Sequence, residues 1–326
     1  MAVYGNAYQW GGYPLPAAPI PKYNGRAWFV DGTNGLDGNS GRSPKNAFAS
    51  IGQAVEDNPD LQEGDVIYVF PKTLDATDTD PDSYAETFIL DTPQVAIVGI
   101  GSGAVQGALP QVRIGSGSTA MLTVRAPGCT IQGLGFNGAS STGGGILLDD
   151  DGGSTKAAFG TVIRGCHFKN CKGHATNGSL GGAIAWAAAG NTWQVLIEDC
   201  SFYKNVCDIC LIGTGTSRPQ DVYIRGCKFS GPAASVDVNI YGAGGSGFDG
   251  VYIDNCVFPC FPAIGSGTNA KQLVLTGCVG SLTNCAFGCN NKTFGAAGNN
   301  LVPTTVLIAN CSQEEAQDTT GEVGRT

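Results

Sequence analysis

The apolar positions of this chain fall in short runs with period two. Val222 and Ile224, Val251 and Ile253, and Val306 and Ile308 each flank a single intervening residue, the signature of a strand with one face buried. Each run then breaks at one position and the alternation resumes as Cys-x-Phe. The break is occupied by Gly133, Gly165, Asp199, Gly226, Asn255, Asn284 and Asn310, all residue types that tolerate a positive φ. The pattern predicts two short strands meeting at a one-residue left-handed bend, both sending their apolar side chains to the same interior.

This unit repeats. Copies beginning at Ile131, Ile163, Ile197, Ile224, Ile253, Leu282 and Ile308 follow one another at 32, 34, 27, 29, 29 and 26 residues, a spacing that suits solenoid coils and is too irregular for propeller blades or leucine-rich repeats. Leu275-Thr-Gly-Cys278 half-fits the same form seven residues before another copy, which leaves the register of 275–289 open. A further apolar run follows in most coils, at Ile146–Leu148, Ala183–Trp186, Val206–Leu211 and Val236–Ile240. Each coil therefore reads as three strands and three turns, and the chain as a single all-β solenoid of roughly nine coils.

The two ends differ from this body. Ser50-Ile-Gly-Gln53 fits a capping box, Ile51, Ala54 and Val55 share one helical face, and Asn58-Pro59 stops the run; a short amphipathic helix here would cover the first strand edge. Between Glu56 and Asp91 eleven acids face the single base Lys72, and Asp75 to Asp82 reads as a solvated loop. The chain divides into residues 1–26, an extended arm; 27–65, the opening strand and capping helix; 66–311, the solenoid; and 312–326, an acidic tail. The arm offers Tyr4, Tyr8, Trp10, Tyr13 and Tyr23 as apolar anchors with polar tips. Pro14, with three further prolines, keeps it extended and lowers the entropy lost when it docks.

Composition narrows the partners. Gly makes up about 15% of the 326 residues and charged residues only 14%, against about 7% and 25% in an average chain. The net charge of −9 repels a phosphate backbone, so nucleic acid is a poor partner. No apolar run is long enough to span a bilayer. The first ten residues lack the basic and apolar segments of an export signal, so synthesis in a cytoplasm is expected, and with it reduced thiols for the thirteen Cys. Cys166, Cys200, Cys227, Cys256, Cys285 and Cys311 occupy equivalent inward sites and form a ladder of buried thiols. Cys207-Asp-Ile-Cys210 is an isolated CxxC whose sulfurs, in a regular strand, would face opposite sides. His167 and His174 read as surface residues.

Three sets of residues carry candidate chemistry. Arg164, Glu198, Arg225 and Asp254 stand just before the bend on consecutive coils, and their alternating signs satisfy one another across one coil spacing. Asp149-Asp-Asp151 lies near Arg164 and Lys169 if the coils stack as drawn. Paired carboxylates are what glycoside hydrolysis needs, and if the chain is an enzyme, Asp149, Asp151, Arg164 and Lys169 are its catalytic candidates. Asp31 and Asp37, in an Asx-rich turn, are calcium candidates without EF-hand spacing. No other cofactor is indicated.

On the bend repeat and the third strand, the chain resembles the right-handed parallel β-helix proteins of the pectate-lyase-like superfamily. The stretch from Trp28 to Val55, followed by Gly64-Asp-Val-Ile-Tyr-Val-Phe-Pro71, is similar to the N-terminal opening of many of them, compact surface proteins of tailed bacteriophages in particular. The resemblance is specific for fold, since this fold hosts lyases, hydrolases, adhesins and phage structural proteins. It implies a non-enzymatic virion protein, a capsid decoration or tail surface protein made in the host cytoplasm and attached by its arm to capsid or tail subunits. The alternatives are a lyase or hydrolase acting on an acidic glycan, and an adhesin that binds a host-surface glycan. A homo-oligomer, such as a trimer, is compatible with each.

Overall fold

In the computed structural model the described residues are 9–10, 13–14, 25–73, 82–101, 109–114, 120–138, 143–151, 157–171, 182–187, 192–211, 220–230, 238–242, 248–258, 271–288 and 301–313. They build a parallel β-solenoid of three sheets with ten, nine and seven strands. Seven rungs carry all three strands, from the one that begins at Val66–Val69 to the one that ends at Lys271–Val274. One strand, Ala27–Val30, precedes them and two two-stranded rungs follow. The repeat alone suggested roughly nine coils; the difference lies at the ends, where the described rungs are incomplete.

The bends are where the sequence places them. Gly133, Gly165 and Gly226 have φ of 66°, 59° and 64°, and Asp199, Asn255, Asn284 and Asn310 lie at 52–53°. Each connects a strand of the ten-stranded sheet to one of the nine-stranded sheet, so a full change of direction takes one residue. A second column of positive φ (Gln94, Gly128, Gly160 and Gln194) marks the corner before four successive strands of the ten-stranded sheet, and continues at Asp221 within the next, Gln220–Arg225. Gln94 and Gln194 are not left-handed formers by type, which is why the pattern did not announce this corner.

The interior is stacked in register. Ile67, Ile97, Ile131, Ile163, Ile197, Ile224, Ile253, Leu282 and Ile308 pair along one column. Phe136, Phe168, Phe202, Phe229, Phe258 and Phe287 form a second, with ring centroids 5.1, 5.1, 4.9, 4.8 and 4.6 Å apart. Such spacing follows from the strand separation itself, and each stacked pair adds about 0.5–1.5 kcal/mol beyond its buried area. The register of 275–289 is settled by pairing: Leu282 continues the Ile253 column, whereas Leu275 and Cys278 belong to the turn after Lys271–Val274.

The two ends of the solenoid are finished differently. At the N-terminal end Trp28 heads the Ile67 column, stacks on Phe48 and donates Nε1–H to Asp65 at 2.8 Å. The helix α1 (Ile51–Val55) buries Ile51, Ala54 and Val55 against this end. It is only five residues long. Half of the expected capping box is present, Gln53 N–H donating to Ser50 Oγ, but Gln53 does not reciprocate; the first turn is instead held by Glu86, which accepts from the N–H groups of Ile51 and Gly52. At the other end Ile308, in the interior column, is 40% exposed. No helix among the described residues is long and apolar enough to cross a membrane.

Candidate functional site

The outward face of the ten-stranded sheet carries the charge ladder in register, Arg164 beside Glu198, then Arg225, then Asp254. Glu198 is clamped. One carboxylate oxygen accepts from Arg164 Nε at 2.6 Å and the other from Arg225 Nε at 2.6 Å. Burial alone would raise its pKa, but the two guanidiniums outweigh that and hold it below the usual carboxylate range. Asp254 is likewise lowered, by the Thr283 hydroxyl and the Asn284 amide that donate to it at 2.7 and 2.8 Å. The ladder's charges are met by its own neighbours.

Asp149 and Asp151 are not brought to Arg164. They follow the seven-stranded sheet and clamp Arg125, with Nε 2.8 Å from Asp149 and Nη1 3.2 Å from Asp151. Asp151 adopts φ of 52°, which turns its carboxylate back to the same cation. Lys169 ends a strand of the nine-stranded sheet and Arg164 one of the ten-stranded sheet. The four residues proposed for catalysis therefore sit on the ends of three different sheets, because the turns between strands carry them to separate sides of the coil.

Asp31 and Asp37 hold turns. Asp31 accepts from the N–H of Thr33, the N–H of Asn34 and the Asn34 amide, and Asp37 from the N–H groups of Ala49 and Ser50 and the Ser50 hydroxyl. Both Asp31 oxygens and Asp37 Oδ1 are engaged by these donors. Tyr4, Tyr8 and Tyr23 of the arm lie outside the described residues. Trp10, Tyr13 and Pro14 belong to a two-residue antiparallel pair, Gln9–Trp10 with Tyr13–Pro14. His174 and most of the Asp75–Asp82 loop also lie outside the described residues.

Two expectations are corrected. His167 is buried, its Nδ1 2.8 Å from Ser201 Oγ on the next rung. Cys207 and Cys210 face the same side, in an apolar cluster with Leu147, Ala185 and Val238, while Ile209 and Leu211 turn into the main core. Strict period two fails there because Asp208 takes a buried position, accepting from Asn205 and Asn239 at 2.8 and 2.6 Å. The bend cysteines from Cys166 to Cys285 are buried free thiols, and Cys311 is half-buried.

The sequence reading did not single out the exposed aromatic side chains of these rungs. Phe159, Trp193, Tyr223 and Tyr252 are between 36% and 44% exposed. They stand on the same four rungs as Arg164, Glu198, Arg225 and Asp254. Tyr223 stacks on Tyr252 at 4.9 Å and 20°, and Phe159 meets Trp193 at 6.0 Å and 40°. The signal was available: in Val222-Tyr-Ile224 and Val251-Tyr-Ile253 the middle residue must point outward.

No protein-family model matches the chain, and no curated protein matches it. Solved structures do. The Escherichia coli YbhC protein superposes with a TM-score of 0.52 and 11% identity over 96% of this chain and 90% of that one. A rhamnogalacturonan lyase gives 0.45 and 13% over 89% and 74%, and ORF18 of Geobacillus virus E2 gives 0.41 and 12% over 80% and 54%. At these identities what is shared is the fold, a parallel β-solenoid.

Proposed function

We propose that this chain is a non-enzymatic structural protein of a tailed-phage virion, a rigid surface body on head or tail anchored through residues 1–26 to capsid or tail subunits. The observation that carries the non-catalytic part is the commitment of the charged side chains: Glu198 is shared between two arginines, and Arg125 between two aspartates. Glu198, held below the usual carboxylate range, is a poor proton donor at neutral pH, and carboxylates engaged by arginines in this way are not free to act as nucleophiles. The virion setting is supported by the resemblance of the opening segment and coil repeat to compact phage proteins, and the arm's aromatic and proline content fits docking.

Two measurements test this. Polygalacturonate and alginate, each with calcium and with chelator, should give no turnover; cleavage abolished by Arg164→Ala, or by Asp149→Asn with Asp151→Asn, would replace the structural reading by an enzymatic one. Co-expressed with the virion proteins encoded beside it, the full chain should sediment with particles, and the chain lacking residues 1–24 should remain folded but free. Incorporation without the arm, or collapse of the body, defeats the anchoring role.

A further inference from the structure

We propose that the C-terminal end of the solenoid is an association surface for a second copy of this chain, joined tail to tail across a two-fold axis. The inference does not depend on the virion reading. It rests on how differently the two ends of the coil stack are finished. Every earlier member of the interior column, from Ile67 to Leu282, is fully buried, and Ile308, the next in register, is 40% exposed. Leu307 beside it is 66% exposed. The backbone ladder stops at the same place. The bend N–H groups of Gly226, Asn255 and Asn284 each donate at 3.1 Å to the following rung, at Asp254, Thr283 and Ala309. Asn310 is next in that series, and no rung follows it among the described residues. On the other side of the bend the carbonyls of Cys256 and Cys285 accept from Ala286 and Ser312 at 2.9 Å, which leaves the Cys311 carbonyl as the next acceptor.

The chemistry of this end selects the occupant. Sheet edges are normally blunted by Lys, Pro or a bulge, and Val306–Ala309 carries none of them. From Gln272 to Gln313 the sequence holds a single charged residue, Lys292, although charged residues are 14% of the chain. Depletion of charge marks the core of an interface. Without charges to match a foreign partner, the end is complementary to itself. Rotation by a half-turn about an axis across it lays Val306–Ala309 antiparallel to its mate, so each donor–acceptor contact occurs twice. The same rotation sets the exposed end of one apolar interior on the other.

Size and sequence argue against the other occupants. The copies at Leu282 and Ile308 are 26 residues apart. At about 3.3 Å per residue a coil of that length traces a triangle of roughly 29 Å side, about 350 Å² within the backbone and about twice that with its outward side chains. That falls within the roughly 600–1,000 Å² per partner of a stable interface. The chain's own residues 314–326 offer only Ala316 and Val323 as apolar side chains among four acids, too little to cover the end. At the opposite end Phe29 is hydrogen-bonded to Gly41 and Phe48, and Phe48 stacks on Trp28. That edge is already paired, so it offers nothing to head-to-tail stacking.

The test is sedimentation velocity of the full chain over a wide range of concentration. Monomer and dimer should interconvert. Ile308→Lys, which puts a cation of each copy into the contact, should weaken the dimer at least about tenfold while circular dichroism shows the monomer still folded. Both copies carry −9, so the dimer should tighten as salt rises from about 0.01 M to about 0.15 M and the Debye length falls from about 30 Å to about 8 Å. Amide exchange on the unsubstituted chain needs no variant: the peptide holding Asn310 should exchange more slowly at dimer concentrations, and the peptide holding Phe29 should not change. The proposal is overturned if the full chain stays monomeric at every concentration, if a trimer or an open-ended series forms, or if Ile308→Lys dimerises as the parent does. It is equally overturned if salt weakens the dimer, or if the Asn310 peptide exchanges alike in both states.

Discussion

Gly165 allows the cost of the bend to be measured without a packing artefact. Its φ is 59°, and a Cβ added there would meet no heavy atom within 4 Å. Gly165→Ala therefore perturbs backbone conformation alone. An L-residue in the left-handed region costs about 1–2 kcal/mol. Losing glycine's freedom in the unfolded chain returns about 0.4–1 kcal/mol. The net expectation is a destabilisation of about 0.8 kcal/mol for Gly165→Ala and close to none for Gly165→Asn, since Asn tolerates this region. The reciprocal change Asn255→Gly, at an exposed residue with φ of 52°, should be neutral, whereas Asn255→Ala should cost about as much as Gly165→Ala. Urea midpoints followed by far-ultraviolet circular dichroism give the order, provided the slopes are unchanged. The bend reasoning is refuted if Gly165→Ala matches the parent, or if Gly165→Asn is the worse of the two.

Other expectations follow from the interior and the ladder. Phe202→Ala, between Phe168 and Phe229, should cost about 3–5 kcal/mol and Phe202→Leu clearly less; equal losses in thermal melts would show that ring volume and stacking contribute nothing. Glu198 has a folded pKa below its unfolded value, so its contribution is present above the usual carboxylate range and disappears as pH falls through the folded value. The parent's advantage over Glu198→Gln should therefore be largest near neutrality and vanish in acid; an advantage that grows on acidification contradicts the clamp. Native protein should show few thiols reactive to Ellman's reagent, since burial pushes Cys129 and Cys171 up to about 12, and all thirteen should react after denaturation without reductant. Intact disulfides in mass spectra would overturn this.

Much of the fold was legible because its determinants are local. A period-two run, one residue that accepts φ > 0, and a second run occupy six residues, and repeating them forces the interior columns of Ile and Phe. The N-terminal cap was legible only in outline, for Ser50 lies beside the helix it caps while Glu86, which holds the first turn, lies 34 residues on. The outward face was not legible in the same way. Whether Arg164 meets Glu198 or Asp149 depends on which sheet end each residue reaches after turns of unequal length. His167 and Ser201 become neighbours only through the rung register, and Cys207 and Cys210 share a side only because Asp208 finds Asn205 and Asn239 inside.

The sequence by itself determined the solenoid, its bends and its stacked core, since those follow from backbone conformation and hydrophobic period within one coil. The tertiary structure alone decided which charges neutralise one another, how many rungs are complete, and which exposed aromatic residues meet across neighbouring rungs. Those outcomes depend on contacts about one coil, or some thirty residues, apart, and no local pattern records them.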